Sequence, residues 1–294
     1  DGVMLPHRTD VESAAARLGE KIRHTPTLVL HGDELGVPYR VVLKLELLQH
    51  TGSFKARGAL NSVMSLDPGA RSVAAASGGN HGAAVAWAAQ RTGLTADIFV
   101  PSTSTPAKLA RIREYGGRLH TVEGDVGDAL VACEELCERE GVPLVHPYDT
   151  VETVCGAGTV GLEVARQWPE VEVVVVPLGG GGLLAGTSMA LARALGGRVK
   201  VVGVDYLRGG KFKRSVEAGE VILSGGAMAL INSLGALGSF VGAYIVGYLN
   251  GATGGFGASY IFMAGSLLLS AILTIVAVRK AGEKQPVVLA GQST

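Results

Sequence analysis

The chain has 294 residues and carries 26 basic and 26 acidic side chains, so its formal net charge is zero. This balance argues against a nucleic-acid binder, which normally carries an excess of basic residues. Apolar residues make up 47% and charged residues 18%, but residues 221–278 contain no Asp, Glu, Lys, Arg or His. The composition therefore predicts three parts: a globular region, residues 1–220, an apolar region, residues 221–280, and a polar tail, residues 281–294.

The three cysteines indicate a reducing compartment. Cys133, Cys137 and Cys155 are too few, and odd in number, for a disulfide framework. The first two stand four residues apart in a helical pattern and share a face, but two thiols fall short of a four-ligand zinc site. We expect buried structural thiols and no metal. The first 20 residues lack the apolar core of a signal peptide, so we expect the globular region in the cytoplasm.

Residues 41–205 alternate short apolar or β-branched runs with alanine-rich helical stretches. This order is typical of α/β proteins in which helices cover both faces of a parallel sheet. Ligand sites in such sheets lie where a strand ends and the next helix begins. The predicted strands are 41–45, 73–76, 96–100, 119–122, 171–176 and 199–204, and the predicted helices are 83–90, 108–115, 129–139 and 183–195.

The first unusual strand-to-helix turn is residues 51–59, Thr-Gly-Ser-Phe-Lys-Ala-Arg-Gly-Ala, in which Lys55 beside Phe54 opens a helix. A positive charge at a helix N-terminus meets an unfavourable dipole. The dipole would lower the pKa of Lys55, and a neutral amine is a good nucleophile for a carbonyl group. The alternative is an ordinary exposed lysine.

The second turn is residues 77–82, Ser-Gly-Gly-Asn-His-Gly, which follow the strand at 73–76. Its glycines let the backbone approach a ligand closely, and free N–H groups at a helix start suit a carboxylate or a phosphate. The alternative is a structural helix cap formed by Ser77 or Asn80, with His81 as a helix residue without chemistry.

The third turn follows the strand at 171–176 and starts with four consecutive glycines, Gly179, Gly180, Gly181 and Gly182. Such a run suits a phosphate cradle made of main-chain N–H groups. A dinucleotide fingerprint would need glycine in place of Leu184, and a P-loop would need lysine in place of Thr187. Because both nucleotide motifs are incomplete, the turn favours a cofactor with a single phosphate.

Together the three turns resemble the fold type II family of pyridoxal-phosphate enzymes, and within it the threonine and serine dehydratases. Residues 51–59 are similar to the segment with the Schiff-base lysine, residues 77–82 to the substrate and ring loop, and residues 179–183 to the phosphate loop. The resemblance covers about residues 4–220. It implies an α/β fold with parallel sheets, like that of the tryptophan synthase β subunit, and pyridoxal 5′-phosphate as cofactor.

The resemblance also implies cofactor contacts. Lys55 would be the catalytic residue, which binds the cofactor through its amine and then moves the proton of the substrate α-carbon. Phe54 would pack beside the cofactor ring, and Asn80 would bind the 3′ oxygen of the ring. The phosphate would be held by the four glycines, residues 179–182.

For the substrate, the resemblance implies that Ser77, Gly79 and His81 bind the carboxylate. The reaction would be β-elimination from a small hydroxyamino acid, L-threonine or L-serine, to give a 2-oxo acid and ammonia. Gly78 favours elimination over racemisation, because the related serine racemases carry a second acid–base serine at this position. Racemisation needs a proton donor on each face of the carbanion.

Residues 221–278 are predicted to form a transmembrane hairpin. They divide at residues 250–255 into two apolar stretches, 223–249 and 259–278, each long enough to cross a bilayer as a helix. Basic residues flank both ends, so the positive-inside rule places both ends in the cytoplasm. The hairpin would lie in the inner or plasma membrane. Residues 222–280 resemble the last two helices of a major facilitator superfamily transporter.

The dehydratase resemblance ends near residue 220, before the family's later strands. We therefore expect an incomplete enzyme fold with an exposed apolar sheet edge. Three interpretations remain open: a non-catalytic chimera, a membrane-anchored dehydratase whose site a partner completes, for instance in a homo-oligomer, and a fragment of a transporter.

Overall fold

The computed structural model describes residues 8–205. The whole chain divides into two compact units, Asp1–Ala227 and Met228–Thr294, and every described residue belongs to the first. The predicted boundary at residue 220, the hairpin at 221–280 and the polar tail at 281–294 lie outside the described residues. Among residues 8–205 no helix combines the length and the apolar composition that crossing a bilayer requires.

Short strands alternate with helices along the described chain. The strands are β1 (Thr27–Leu30), β2 (Val41–Lys44), β3 (Ser72–Ala76), β4 (Thr95–Pro101), β5 (Arg118–Val122), β6 (Val173–Pro177) and β7 (Lys200–Val204). The helices are α1 (Arg8–Leu18), α2 (Gly32–Leu35), α3 (Lys55–Met64), α4 (Asn80–Thr92), α5 (Pro106–Glu114), α6 (Val126–Glu140), α7 (Val151–Gln167) and α8 (Gly182–Leu195). Short 3-10 turns lie at Gly19–Lys21, Glu46–Leu48 and His50–Gly52.

The seven strands form three sheets. β3, β4 and β5 form a parallel sheet in that order, and β6 pairs with β7 in parallel, which confirms the predicted parallel arrangement for these strands. β1 and β2 are antiparallel, with Leu28 opposite Leu43, so the prediction was wrong for the strand at 41–45. The reason is the connection at 31–40, which is shorter than the dozen or more residues of a parallel crossover.

The main core lies between the β3–β4–β5 sheet and helices α3 and α4. Val73, Ile98 and Val100 of the sheet pack with apolar residues of both helices. α6 covers the opposite face, where Cys133 packs against Phe99. Helices therefore cover both faces of this sheet, as the alternating pattern predicts. The alanines of β3 and α4 are small enough for the helix and the sheet to approach closely.

Helix α7 was missed by the sequence analysis. It is buried from Thr153 to Ala165, and its glycines let α3 and α8 approach its backbone. A Cβ atom on Gly158 would lie 2.7 Å from the carbonyl oxygen of Gly186 in α8. A Cβ atom on Gly156 would lie 2.7 Å from the carbonyl oxygen of Arg57 in α3. Glycine lowers helix propensity, and here packing against two helices decides the conformation instead.

The β6–β7 sheet exposes one apolar face. Val173, Val175 and Val204 are 52%, 64% and 53% exposed, whereas Val174 and Val176 face the core beside α8. The alternation is that of a strand with one buried face.

The thiols lie where the sequence predicts. Cys133 and Cys137 lie one helical turn apart on α6, and Cys133 and Cys155 are buried. Burial raises the pKa of the Cys155 thiol to about 12 and also raises the pKa of Cys133 and Cys137. All three are free cysteines and are unreactive at neutral pH.

Candidate active site

Lys55 is the first residue of α3, and Phe54 is its N-cap. The side chain enters a narrow cleft, and its Nζ donates a hydrogen bond of 2.5 Å to the carbonyl oxygen of Pro147. The same Nζ lies 5.2 Å from the centre of the Phe54 ring. This position confirms the predicted helix start and excludes the alternative of an ordinary exposed lysine. The cleft is lined by Phe54, Lys55, Gly58, Pro147, Tyr148, Thr153, Ala157, Gly182 and Leu183.

Burial lowers the pKa of Lys55 from 10.5 to about 8. The sequence analysis predicted the direction but gave the helix dipole as its cause. The cause in the structure is desolvation, because an ammonium group loses hydration in the cleft and the neutral amine does not. The neutral amine is the form that attacks a carbonyl carbon.

The second turn enters α4 without a side-chain cap. Its N-cap is Gly79, and Ser77 Oγ accepts a 3.2 Å hydrogen bond from the Gly79 N–H rather than from the helix. The alternative of a cap formed by Ser77 or Asn80 is therefore wrong. The first hydrogen bond back to this turn comes from Ala83, whose N–H donates to Gly79 at 3.1 Å. The N–H groups at the three preceding positions, residues 80–82, are thus available to a ligand.

His81 is buried, and its Nε2 lies 2.8 Å from the carbonyl oxygen of Val145. A carbonyl oxygen only accepts, so Nε2 carries the hydrogen and Nδ1 is an unprotonated acceptor. Among residues 8–205, Nδ1 has no hydrogen-bond partner. Burial, and next the charge of Lys55, lower the pKa of His81 to about 3. The neutral ring cannot donate to a substrate carboxylate from Nδ1, so only the backbone N–H of residue 81 can.

The third turn joins β6 to α8. Gly181 is the N-cap with a φ of 89°, a left-handed conformation that favours glycine, and Gly182 is the first helical residue. The first hydrogen bond from the helix to the turn runs from Ala185 to Gly181 at 2.9 Å. The three preceding N–H groups of α8, residues 182–184, have no partner within the helix, which is the arrangement that binds anions.

The sequence analysis missed residues 145–148, which connect all three turns. The carbonyl oxygen of Val145 accepts from His81, that of Pro147 accepts from Lys55, and Tyr148 packs against Gly180 and Gly182. Leu144 forms a parallel bridge with Ala74, so this segment leaves the same edge of the sheet as the second turn. The apolar run at 142–145 followed by a histidine and a tyrosine is the signal that could have found it.

Local hydrogen bonds fix this segment. His146 Nδ1 accepts from the backbone N–H of Asp149 at 2.9 Å and of Tyr148 at 3.4 Å. The carbonyl oxygen of His146 accepts from Thr153 Oγ1 at 2.9 Å. Burial lowers the pKa of His146, and Lys55 adds to this effect while Asp149 opposes it. Both histidines near Lys55 are therefore neutral near pH 7.

A buried ion network supports the start of α3 behind Lys55. Arg57, which is 1% exposed, donates to Glu163 at 2.6 Å and to Glu46 through two bonds of 2.8 Å. Lys44 donates to the other oxygen of Glu163 at 2.6 Å. Two cations and two carboxylates thus link α3, α7 and the end of β2.

The structure brings some of the predicted site residues together. Phe54, Lys55 and Gly182 line one cleft, and His81 is close enough to Lys55 for the lysine charge to shift its pKa. Ser77, Gly79 and Asn80 do not line this cleft, and Asn80 is exposed at the start of α4. No group of His, Cys, Asp or Glu suited to a metal ion occurs within the described part of the chain.

Comparisons with known proteins agree with this arrangement. A family model described as "Pyridoxal-phosphate dependent enzyme" matches residues 18–256. The L-threonine ammonia-lyase of Geobacter sulfurreducens is 35% identical over 223 residues, which cover 74% of this chain and 54% of that protein. The structure of maize serine racemase superposes with a TM-score of 0.70 at 30% identity and covers 75% of this chain and 68% of that one. The threonine deaminase of T.th. gives a TM-score of 0.68 at 36% identity and covers 74% and 70%.

The extent of these matches bears on the predicted junction. The family match continues past residue 221 to residue 256 and so includes the first of the two predicted membrane stretches. The chain spans about half the length of the ammonia-lyase that it matches. The comparisons confirm the predicted α/β fold of the family, and they give no support to a transporter segment or to a chimera.

Proposed function

Since the chain belongs to the family of pyridoxal-phosphate dependent enzymes, we propose that it eliminates water from a small hydroxyamino acid, L-threonine or L-serine. The products are a 2-oxo acid and ammonia. The observation that carries this proposal is the Lys55 amine, which has a pKa of about 8 in a cleft between the start of α3 and the start of α8. The name of the similar L-threonine ammonia-lyase supports the substrate class.

The residues present fit pyridoxal phosphate, the cofactor of this family. A Cβ atom on Gly179 or Gly181 would meet nothing within 4 Å, so the turn has open space on the side where an anion could approach. The unpaired N–H groups at the start of α8 would bind the phosphate, and Phe54 would pack beside the ring. When bound, the cofactor supplies an electron sink for the negative charge that develops at the substrate α-carbon.

Lys55 acts as base and acid in this proposal. A pKa of about 8 lies near the operating pH, where one amine can both accept and return a proton efficiently. The hydrogen bond to the Pro147 carbonyl orients the amine within the cleft. The backbone N–H groups of residues 80–82, in a turn shaped by Ser77 and Gly79, bind the substrate carboxylate. The Asn80 side chain binds the 3′ oxygen of the ring.

Racemisation is a second candidate function, supported by the similarity to maize serine racemase. Elimination is favoured because residue 78 is glycine, and the side chain of Ser104 lies where a side chain at 78 would lie. Production of D-serine from L-serine without a matching amount of 2-oxo acid would assign the chain to racemisation instead.

The test uses the full chain with added pyridoxal phosphate. We expect a coloured adduct that borohydride fixes to Lys55, seen as a mass increase on the peptide that contains this residue. Lys55→Ala should lose both the adduct and the release of 2-oxo acid, whereas Lys21→Ala, at an exposed lysine, should keep both. A fixed adduct elsewhere, with Lys55 unmodified, would contradict the proposal.

Outside the described residues, we further propose that residues 221–280 attach the chain to a membrane. The charge-free run at 221–278 supports this proposal. The family match to residue 256 favours a continuous enzyme chain over a chimera or a transporter fragment.

A further inference from the structure

The four glycines of the turn that starts α8 are not equivalent. A Cβ atom built on Gly180 would overlap the ring of Tyr148, and one on Gly182 would lie 2.6 Å from the carbonyl oxygen of Tyr148. Cβ atoms on Gly179 and Gly181 would meet nothing within 4 Å. Two of the glycines are therefore required by contact with Tyr148, and the other two border open space.

Tyr148 is held in place on its other sides. Its ring meets the His146 ring edge-on, with centres 4.8 Å apart and planes at 80°. Its backbone N–H donates to His146 Nδ1, and the residue before it, Pro147, accepts the hydrogen bond of Lys55. Within residues 8–205 the hydroxyl group has no hydrogen-bond partner. The contacts of Tyr148 are thus made by its ring and backbone.

A run of four glycines needs such a support. Glycine loses more conformational freedom on ordering than any other residue, so an unsupported turn would sample many backbone states. Ordering the turn at the moment of binding would reduce affinity, whereas a turn already in the binding conformation avoids this loss. The Tyr148 ring packs on the second glycine, and its carbonyl group packs on the fourth, which limits the turn from one side.

We propose that Tyr148 is a positioning residue for anion binding at this turn. Its ring fixes Gly180 so that the open faces of Gly179 and Gly181 and the N–H groups behind them are presented to a phosphate group. The inference rests on the proposed function in one respect, since it takes the phosphate to be that of pyridoxal phosphate. The ring acts through its shape, and the hydroxyl group is not required.

A double-mutant cycle on the full chain tests the contact itself. Gly180→Ala should lower the thermal unfolding temperature by several degrees, because the new methyl group overlaps the ring. In a Tyr148→Ala background the same substitution should cost little, because the ring is gone. Gly179→Ala is the matched control and should leave the unfolding temperature close to that of the unchanged chain, because its methyl group meets no atom. Equal losses from Gly180→Ala in both backgrounds would overturn the inference.

Binding measurements test the role of the contact. Pyridoxal phosphate and inorganic phosphate are each titrated into the chain by equilibrium dialysis. Tyr148→Phe should keep the affinity for both within about twofold, and Tyr148→Ala should weaken both about tenfold, which corresponds to the loss of one good contact. Gly179→Ala should weaken both ligands although the fold is intact, because its methyl group fills the open face. Tyr148→Phe that binds as weakly as Tyr148→Ala would overturn the role of the ring.

The two proposals fail in different ways. If the unchanged chain forms the Lys55 adduct but Tyr148→Ala binds both ligands normally, the inference about Tyr148 is wrong and the proposed function stands. If the unchanged chain binds inorganic phosphate, with the expected losses in the variants, but forms no adduct, Tyr148 positions an anion site and the proposed function is wrong.

Discussion

At the scale of single residues, the burial of Lys55 sets a measurable pH dependence. Its pKa is about 8 instead of 10.5, and only the neutral amine attacks a carbonyl group. The initial rate of adduct formation with pyridoxal phosphate should therefore rise with pH and reach half of its maximum near pH 8. Borohydride trapping at a series of pH values measures this rate. A half-maximum near 10.4, the value of a solvated lysine, would show that the side chain is not buried.

The same shift affects stability. Between pH 8 and 10.5 the unfolded chain binds more protons than the folded chain at this position, so the contribution of Lys55 to the free energy of unfolding rises with pH. Lys55→Met removes the titration and keeps most of the apolar side chain. We expect a smaller rise in the free energy of unfolding for this variant, measured by urea denaturation near pH 7 and near pH 10. Equal slopes for both proteins would contradict the shift.

Glu163 carries a larger share of the stability. Burial alone would raise its pKa, but hydrogen bonds and charges from Arg57 and Lys44 lower it below 4.5. Its contribution is therefore complete above pH 4.5 and is lost as the pH falls through the lower folded value. Glu163→Gln should lose about 3–5 kcal/mol at pH 7, because it leaves buried cations unpaired.

The control for this substitution is Glu135→Gln, at an exposed position on α6. It should change the free energy of unfolding by less than about 0.5 kcal/mol. Urea denaturation of both variants at pH 7 gives the comparison. A Glu163→Gln variant as stable as the control would mean that the network contributes little.

At the scale of elements, the crossing of α7 and α8 depends on glycine. The backbone of Gly158 approaches Gly186 so closely that a methyl group on either would meet the other helix. Gly158→Ala should therefore lose about 1–3 kcal/mol of stability through overpacking, although alanine is the better helix former. Gly69→Ala, where the new methyl group meets no atom, should change little. A stabilised Gly158→Ala variant would show that the helices separate easily.

Elements also show how far sequence reasoning reaches here. Helix α4 and strands β3 to β7 followed from periodicity and glycine turns, because in them local preference and packing agree. Helix α7 was missed because its glycines lower helix propensity and are explained only by contacts with α3 and α8. Residues 145–148 were missed for a similar reason. Their role depends on carbonyl groups and on contacts with residues far away in the sequence, and neither leaves a pattern in the residue types.

At the scale of the whole molecule, two observations on residues 221–280 point in different directions. The run at 221–278 has no charged side chain, which is unusual for a water-exposed domain. The family match nevertheless extends through this run to residue 256. The described sheet before it, β6 and β7, exposes three valines on one face. A measurement on the full chain has to decide between a membrane segment and a continuation of the enzyme.

Detergent phase partition of the full chain makes this decision. We expect the chain in the detergent phase, because each stretch is long enough to span a bilayer. Leu237→Arg combined with Leu268→Arg places a charge near the middle of each stretch, where a charge costs about 2.5–3.5 kcal/mol, and should move the chain to the aqueous phase or to aggregates. Ala252→Arg, in the turn between the stretches, should leave it in the detergent phase. If the unchanged chain stays in the aqueous phase and still forms the Lys55 adduct, residues 221–280 belong to the enzyme and the membrane proposal is wrong.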